Sequence, residues 1–129
     1  MRSSGRDGWY MRRERPPDSY LWDMLTSARA VAEFLRAKTF DDYQDDLMLR
    51  SAVERQIEII GEAARYVSAS FQQQHPQIPW SMIMGQRHVL AHDYGEIKHE
   101  RIWRVATEDV PALIDQLKGL VPQPPETGE

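Results

Sequence analysis

Residues 46–71 read DLMLRSAVERQIEIIGEAARYVSASF, and the apolar side chains Leu47, Leu49, Val53, Ile57, Ile60, Ala64, Val67 and Phe71 return every three to four positions. That period belongs to an α-helix with one buried stripe; a half-buried strand alternates every second residue. The stretch predicts one helix of about seven turns, long enough to need antiparallel neighbours to cover its apolar side. Gly61 lies in the middle, where glycine costs ~1 kcal/mol relative to alanine. With Ala63 and Ala64 beside it, it predicts the close approach of a neighbouring helix.

Upstream, Asp18 and Ser19 suit a helix N-terminus, and Leu21, Leu25, Ala28, Val31, Ala32 and Leu35 carry an amphipathic stripe to about Lys38. Thr39-Phe40-Asp41-Asp42 interrupts it and offers new caps; the acidic run Asp41–Asp46 reads as a solvated helix start. Downstream, His75-Pro76 and Ile78-Pro79 end the long helix in an extended corner. A third helix is expected from Pro79 or Trp80 to about Asp93, with Gly95 as its stop. The fourth spans about Lys98 to Leu120, with Ile102, Val105, Ala106, Val110, Leu113, Ile114 and Leu117 as core, and Pro111 bending or splitting it. No strand-like alternation and no internal repeat is found. The fold class is all-α: an antiparallel four-helix up-down bundle with a short extra helix, over residues 18–121. Residues 1–17 are expected to be a flexible Arg-rich arm, with Met11 a second candidate start and residues 1–10 an upstream extension. Residues 122–129 (PQPPETGE) are expected to be a disordered tail.

At 129 residues the chain is one domain's worth, and 41% hydrophobic with 28% charged residues is an ordinary globular composition. The absence of cysteine excludes disulfides and thiolate metal sites. No run approaches the ~18 apolar residues that span a bilayer. The N-terminal arginines have no apolar run behind them, so a secretory signal is not expected and the cytoplasm is. The net charge of −4 hides an uneven distribution: residues 1–15 hold five arginines against two acids, while 80–104 are locally basic and hold three of the four histidines. A short anionic ligand fits such a pattern better than a long duplex on a broad basic face.

Within that segment, Trp80–Trp103 reads WSMIMGQRHVLAHDYGEIKHERIW. At ~100° per residue, Arg87 and Tyr94 would project from nearly one helical face, and His88 and His92 from another. Arg87 and His92 would stand ~140° apart. They converge if the helix opens at His92, or if a second copy supplies the partner across a two-fold axis. The residue types suit phosphodiester cleavage. An imidazole exchanges protons near neutrality, and a guanidinium grips phosphate oxygens with a planar fork. On RNA, histidine would take the 2′-OH proton and arginine would stabilise the charge on the attacked phosphorus, without a metal or other cofactor. Plainer readings stand beside this one: a solvated Arg87, His92 as a helix C-terminal cation, Tyr94 as a packed aromatic, and Trp80 and Trp103 as packing residues. His88 and His92 also have zinc-pair spacing, but Val89 occupies the place of a metalloprotease glutamate and only His99 offers a third ligand. No metal site is assigned.

Arg87, His92 and Tyr94 match R-x4-H-x-Y, and in this the sequence resembles the HepT-like toxin family of the HEPN ribonuclease superfamily. The resemblance extends in order through Ile59-Ile60-Gly61-Glu62-Ala63, the corner His75-Pro76-x-Ile78-Pro79-Trp80, Gly85-x-Arg87, Trp103, and Asp109-Val110-Pro111-x-Leu113, over roughly residues 19–118. It implies a HEPN-like helical homodimer whose arginines and histidines line one composite cleft. It also implies a metal-independent RNA endonuclease acting as the toxin of a two-gene toxin–antitoxin pair. The antitoxin would be an MntA-type minimal nucleotidyltransferase that silences the toxin by adenylylating (AMPylating) Tyr94. Arg87 and His92 would be catalytic, and His88, which stands where close relatives most often have asparagine, is an auxiliary candidate. The alternative is a non-catalytic HEPN module that binds a nucleotidyltransferase or a nucleotide.

Overall fold

The computed structural model describes residues 16–92 and 94–121. The expected arm to residue 15, the helix end at Asp93 and the tail 122–129 lie outside the described residues. Helix α1 (Pro17–Phe34) starts with a proline in its first turn, where no N–H is needed, and Ser19 Oγ donates to the Pro16 carbonyl at 2.8 Å. It stops four residues short of Lys38, and the chain leaves through a turn with Ala37 at φ +60°. Helix α2 (Phe40–Asp45) opens on a capping box: the Asp42 N–H donates to Thr39 Oγ1 at 3.1 Å, and the Thr39 N–H to Asp42 Oδ2 at 2.9 Å. Those Thr39 hydrogen bonds hold the Asp42 carboxyl below the usual aspartate range. Asp46 then caps α3 (Leu47–Arg65), its Oδ1 accepting from the Leu49 N–H at 3.0 Å. The acidic run therefore supplies the N3 partner of one capping box and the N-cap of the next helix.

The single helix expected over residues 46–71 is corrected here. Helix α3 ends at Arg65 and a short α4 (Ala69–Gln74) follows. Ser68 accounts for the break, because its Oγ accepts from the Phe71 N–H at 3.1 Å. Gln72 Nε2 donates to the Ala64 and Val67 carbonyls at 3.2 and 3.1 Å, satisfying acceptors that the broken helix exposes. The following corner is a tight turn, not an extended stretch: the Ile78 N–H donates to the His75 carbonyl at 3.2 Å and Trp80 Nε1 to the same oxygen at 3.0 Å. Helix α5 spans Trp80–His92. Gly95, expected only as a stop, begins α6 (Gly95–Arg104) at φ +58°, so the fourth helical segment starts three residues before Lys98. Pro111 causes its disturbance one turn early. Val105–Asp109 form a π-helical turn in which the Val110 N–H reaches the Val105 carbonyl, and α7 (Val110–Lys118) follows. The widened turn precedes the residue that cannot donate to the carbonyl four back.

Cross-contacts fix the directions. Tyr20, near the start of α1, stacks on Tyr66 at the end of α3, with ring centroids 5.2 Å apart and planes 20° apart. Lys98 of α6 pairs with Glu54 in the first half of α3 at 3.3 Å, so α5 runs back along α3. Gln116 of α7 donates to the Gln77 carbonyl at 2.9 Å, which returns the last segment to the corner. The long helices thus alternate in direction, and the described residues contain only helices and turns. Leu21, Met24, Val53, Ile102 and Leu117 are fully buried between them. Of the expected core, Ala32 faces out and Leu47, in the first turn of α3, is 67% exposed. Tyr43 and Ile78, not anticipated, are buried.

Candidate functional site

Gly61 sets the spacing on which the site depends. A Cβ there would lie 3.2 Å from the Ile83 carbonyl oxygen, so α3 and α5 meet backbone to backbone, as the glycine predicted. Trp80 and Ile83 hold the inner side of α5 in the core, with Met84, Val89 and Leu90 packed at its margin. Arg87, His88, Ala91 and His92 are left exposed.

Arg87, His88 and His92 border one shallow depression on the exposed face of α5 with Met84, Gly85 and Ala91, all six residues of that one helix. The His88 and His92 rings lie 4.4 Å apart at 39°, as their one-turn spacing requires. Arg87 also borders a second groove, shared with Gly61, Glu62 and Arg65 of α3. It stands on the ridge between the two. Tyr94 does not join this cluster. The expectation that Arg87 and Tyr94 share one helical face is corrected, because Tyr94 is the extended N-cap residue of α6, at φ −133° and ψ 158°. Its side chain makes no capping hydrogen bond and is 79% exposed.

His99 lies elsewhere in the packing. It sits edge-on to Tyr43, with centroids 6.4 Å apart, and its buried Nδ1 has no partner. Burial, then the Arg50 charge, holds its imidazole below the ordinary histidine range. The Tyr43 phenol is pushed above its usual range by burial and then by Glu54. Among the described residues no three His, Asp or Glu are grouped as metal ligands. Trp80 and Trp103 are packing residues: Trp80 is buried, and Trp103 meets Phe40 and Tyr43 at 5.9 and 5.6 Å.

Two features escaped the sequence reading. The Glu62–Arg65 wall beside Arg87 is one; Gly61 was its available signal, since a glycine marks where a neighbour comes close. The other is a small, largely apolar cavity behind α5, where Gln86 and Asp109 supply the polar atoms. Gln86 Oε1 is buried without a partner, and burial, then Glu108, raises the Asp109 carboxyl above its usual range.

A family described as Ribonuclease HepT-like matches residues 24–120 of the chain. "Putative RNase MJ1380" of Methanocaldococcus jannaschii is 37% identical over 100 residues, covering 78% of this chain and 92% of that protein. "Probable ribonuclease HepT" of Thermococcus cleftensis is 34% identical over 100 residues, 78% of this chain and 91% of its own. "Putative RNase TTE0752" of Caldanaerobacter subterraneus is 31% identical over 107 residues, 83% and 96% of the two chains. No solved structure matches. Among the described residues no helix is long and apolar enough to cross a membrane.

Proposed function

The chain belongs to the HepT-like ribonuclease family, and from that premise we propose that it is a metal-independent RNA endonuclease serving as the toxin of a two-gene pair. The observation that carries this reading is the exposed face of α5 on which Arg87 stands with the His88–His92 pair. His92 takes the proton of an RNA 2′-OH. The 2′-oxygen attacks the adjacent phosphorus, and Arg87 holds the non-bridging oxygens as their charge grows. The 5′-oxygen leaves with a proton from the resulting imidazolium, or from His88, leaving a 2′,3′-cyclic phosphate on one product and a 5′-hydroxyl on the other.

The family resemblance implies a homodimer, in which a second copy of the chain brings its own Arg87 and His92 to a shared cleft across a two-fold axis. Ile97, 63% exposed, is apolar surface available to such a dimer, while Tyr94 stays 79% exposed. The same exposure leaves the Tyr94 hydroxyl within reach of an MntA-type nucleotidyltransferase antitoxin, which silences the toxin by adenylylating it. The test is incubation of pure protein with total RNA in EDTA. Cleavage lost in His92→Ala and in Arg87→Lys, with helix content and dimer kept, is the expected result. RNA binding without cleavage by the unaltered protein would replace this reading with the non-catalytic binding module.

A further inference from the structure

We propose that Tyr66, Arg65 and Glu62 form a nucleotide subsite beside Arg87 that holds an unpaired base of a single-stranded RNA; this rests on the ribonuclease reading above. Tyr66 is 43% exposed, whereas Tyr20 beneath it is 6% exposed and stacked parallel to it. One face of the Tyr66 ring rests on Tyr20 while the residue stays 43% exposed, as a base-stacking platform requires. The platform adjoins the candidate catalytic groove. The close approach at Gly61 makes Arg87 of α5 and Arg65 of α3 walls of the same depression. Tyr66 borders the next depression, and Glu62 borders both. From Glu62 to Tyr66 is one helical turn, about 6 Å along α3, a step that one nucleotide of an extended strand covers.

The charges along α3 select the kind of ligand. Glu62 faces Arg65 at 3.5 Å and Glu58 faces Arg55 at 3.0 Å, all four side chains being half exposed or more. This alternation repels a continuous track of phosphates, so a duplex lying along its backbone is disfavoured. It suits a splayed strand. Arg65 accompanies one phosphate, and Glu62 accepts from the exocyclic amino group of a base whose ring lies on Tyr66.

The test uses fluorescence anisotropy with a labelled 2′-O-methyl RNA oligonucleotide, which has no free 2′-OH and cannot be cut, as a single strand and as its duplex. Tyr66→Leu should weaken single-strand binding by about tenfold, the effect of one lost stack, while leaving duplex binding unchanged, measured well below a melting temperature that loss of the Tyr20 stack lowers. Tyr66→Trp should restore the affinity, and Arg65→Ala should flatten the salt dependence by about 0.7 in log–log slope. On cleavable RNA, Tyr66→Leu should raise KM and leave kcat unchanged. Unaltered single-strand affinity in Tyr66→Leu, an equal loss on both strand forms, or no binding by the unaltered protein overturns the subsite. Tyr66-dependent binding without any cleavage would retain the subsite and overturn the nuclease reading. Cleavage indifferent to Tyr66 would do the reverse.

Discussion

Replacing Gly61 by alanine sets two effects of similar size against each other. Alanine in the middle of α3 gains ~1 kcal/mol of helix propensity over glycine. The new methyl, however, lies 3.2 Å from the Ile83 carbonyl oxygen and 3.9 Å from the Met84 Cα, both backbone atoms of α5. A side chain could rotate away; a helix backbone must move as a body by a few tenths of an ångström. Overpacking of this kind costs ~1–3 kcal/mol, so the net change is a destabilisation of ~1 kcal/mol, or roughly 3–5 °C in Tm for a domain of this size. Gly61→Val adds two further methyl groups against the same carbonyl and should lose distinctly more. Urea unfolding followed by circular dichroism gives the comparison, with an unchanged m-value showing that the same surface is exposed. If Gly61→Ala were instead more stable by ~1 kcal/mol, the propensity gain of alanine would be uncompensated. The backbone contact between α3 and α5, and with it the groove joining Arg87 to Arg65, would then be refuted.

Ala37→Gly should stabilise the protein by ~0.5–1 kcal/mol, because a left-handed alanine costs ~1–2 kcal/mol and the greater chain entropy of glycine offsets only part of that; thermal melts decide, and a loss of stability would mean Ala37 is not at φ +60°. Asp109 has a raised folded pKa, so the stability present in acid is lost as the pH rises through that value. Asp109→Asn should accordingly raise Tm at pH 7 and leave it nearly unchanged at pH 3; equal shifts at both would sever the link to ionisation. Tyr94→Phe should keep RNA cleavage and escape neutralisation by a co-expressed nucleotidyltransferase. Mass spectrometry should find AMP adducts on the Tyr94 peptide of the unaltered protein and none in the variant; inhibition with Tyr94 unmodified would leave occlusion by binding as the means of control.

The stripe that begins at Asp46 identified an amphipathic helix but ran on through its break, for a physical reason. Val67 is buried and Phe71 still meets Trp80, so the apolar period survives while the backbone turns. What ends α3 is a local competition: the Ser68 hydroxyl and the Gln72 amide take over backbone partners at 3.1–3.2 Å, and periodicity carries no record of that. Pro111 foretold its disturbance but not that the chain would absorb it one turn earlier, in the π-turn. Within the site, the His88–His92 pairing was legible because one-turn spacing on a helix fixes it. The company Arg87 keeps on α3 was not, because it depends on which side of each helix meets the other.

Tyr94 shows how such a local difference alters a functional argument. Gly95 at φ +58° serves equally as the end of one helix and the start of the next, so its presence alone does not say whether Tyr94 continues α5 or opens α6. Because it opens α6, its separation from Arg87 is set by the joint between two helices rather than by a fixed rise along one. Its side chain caps nothing and packs against little, so a nucleotide attached there would disturb neither α5 nor the buried core. The same open position that weakens any role for Tyr94 in holding the fold is what the proposed adenylylation requires of it.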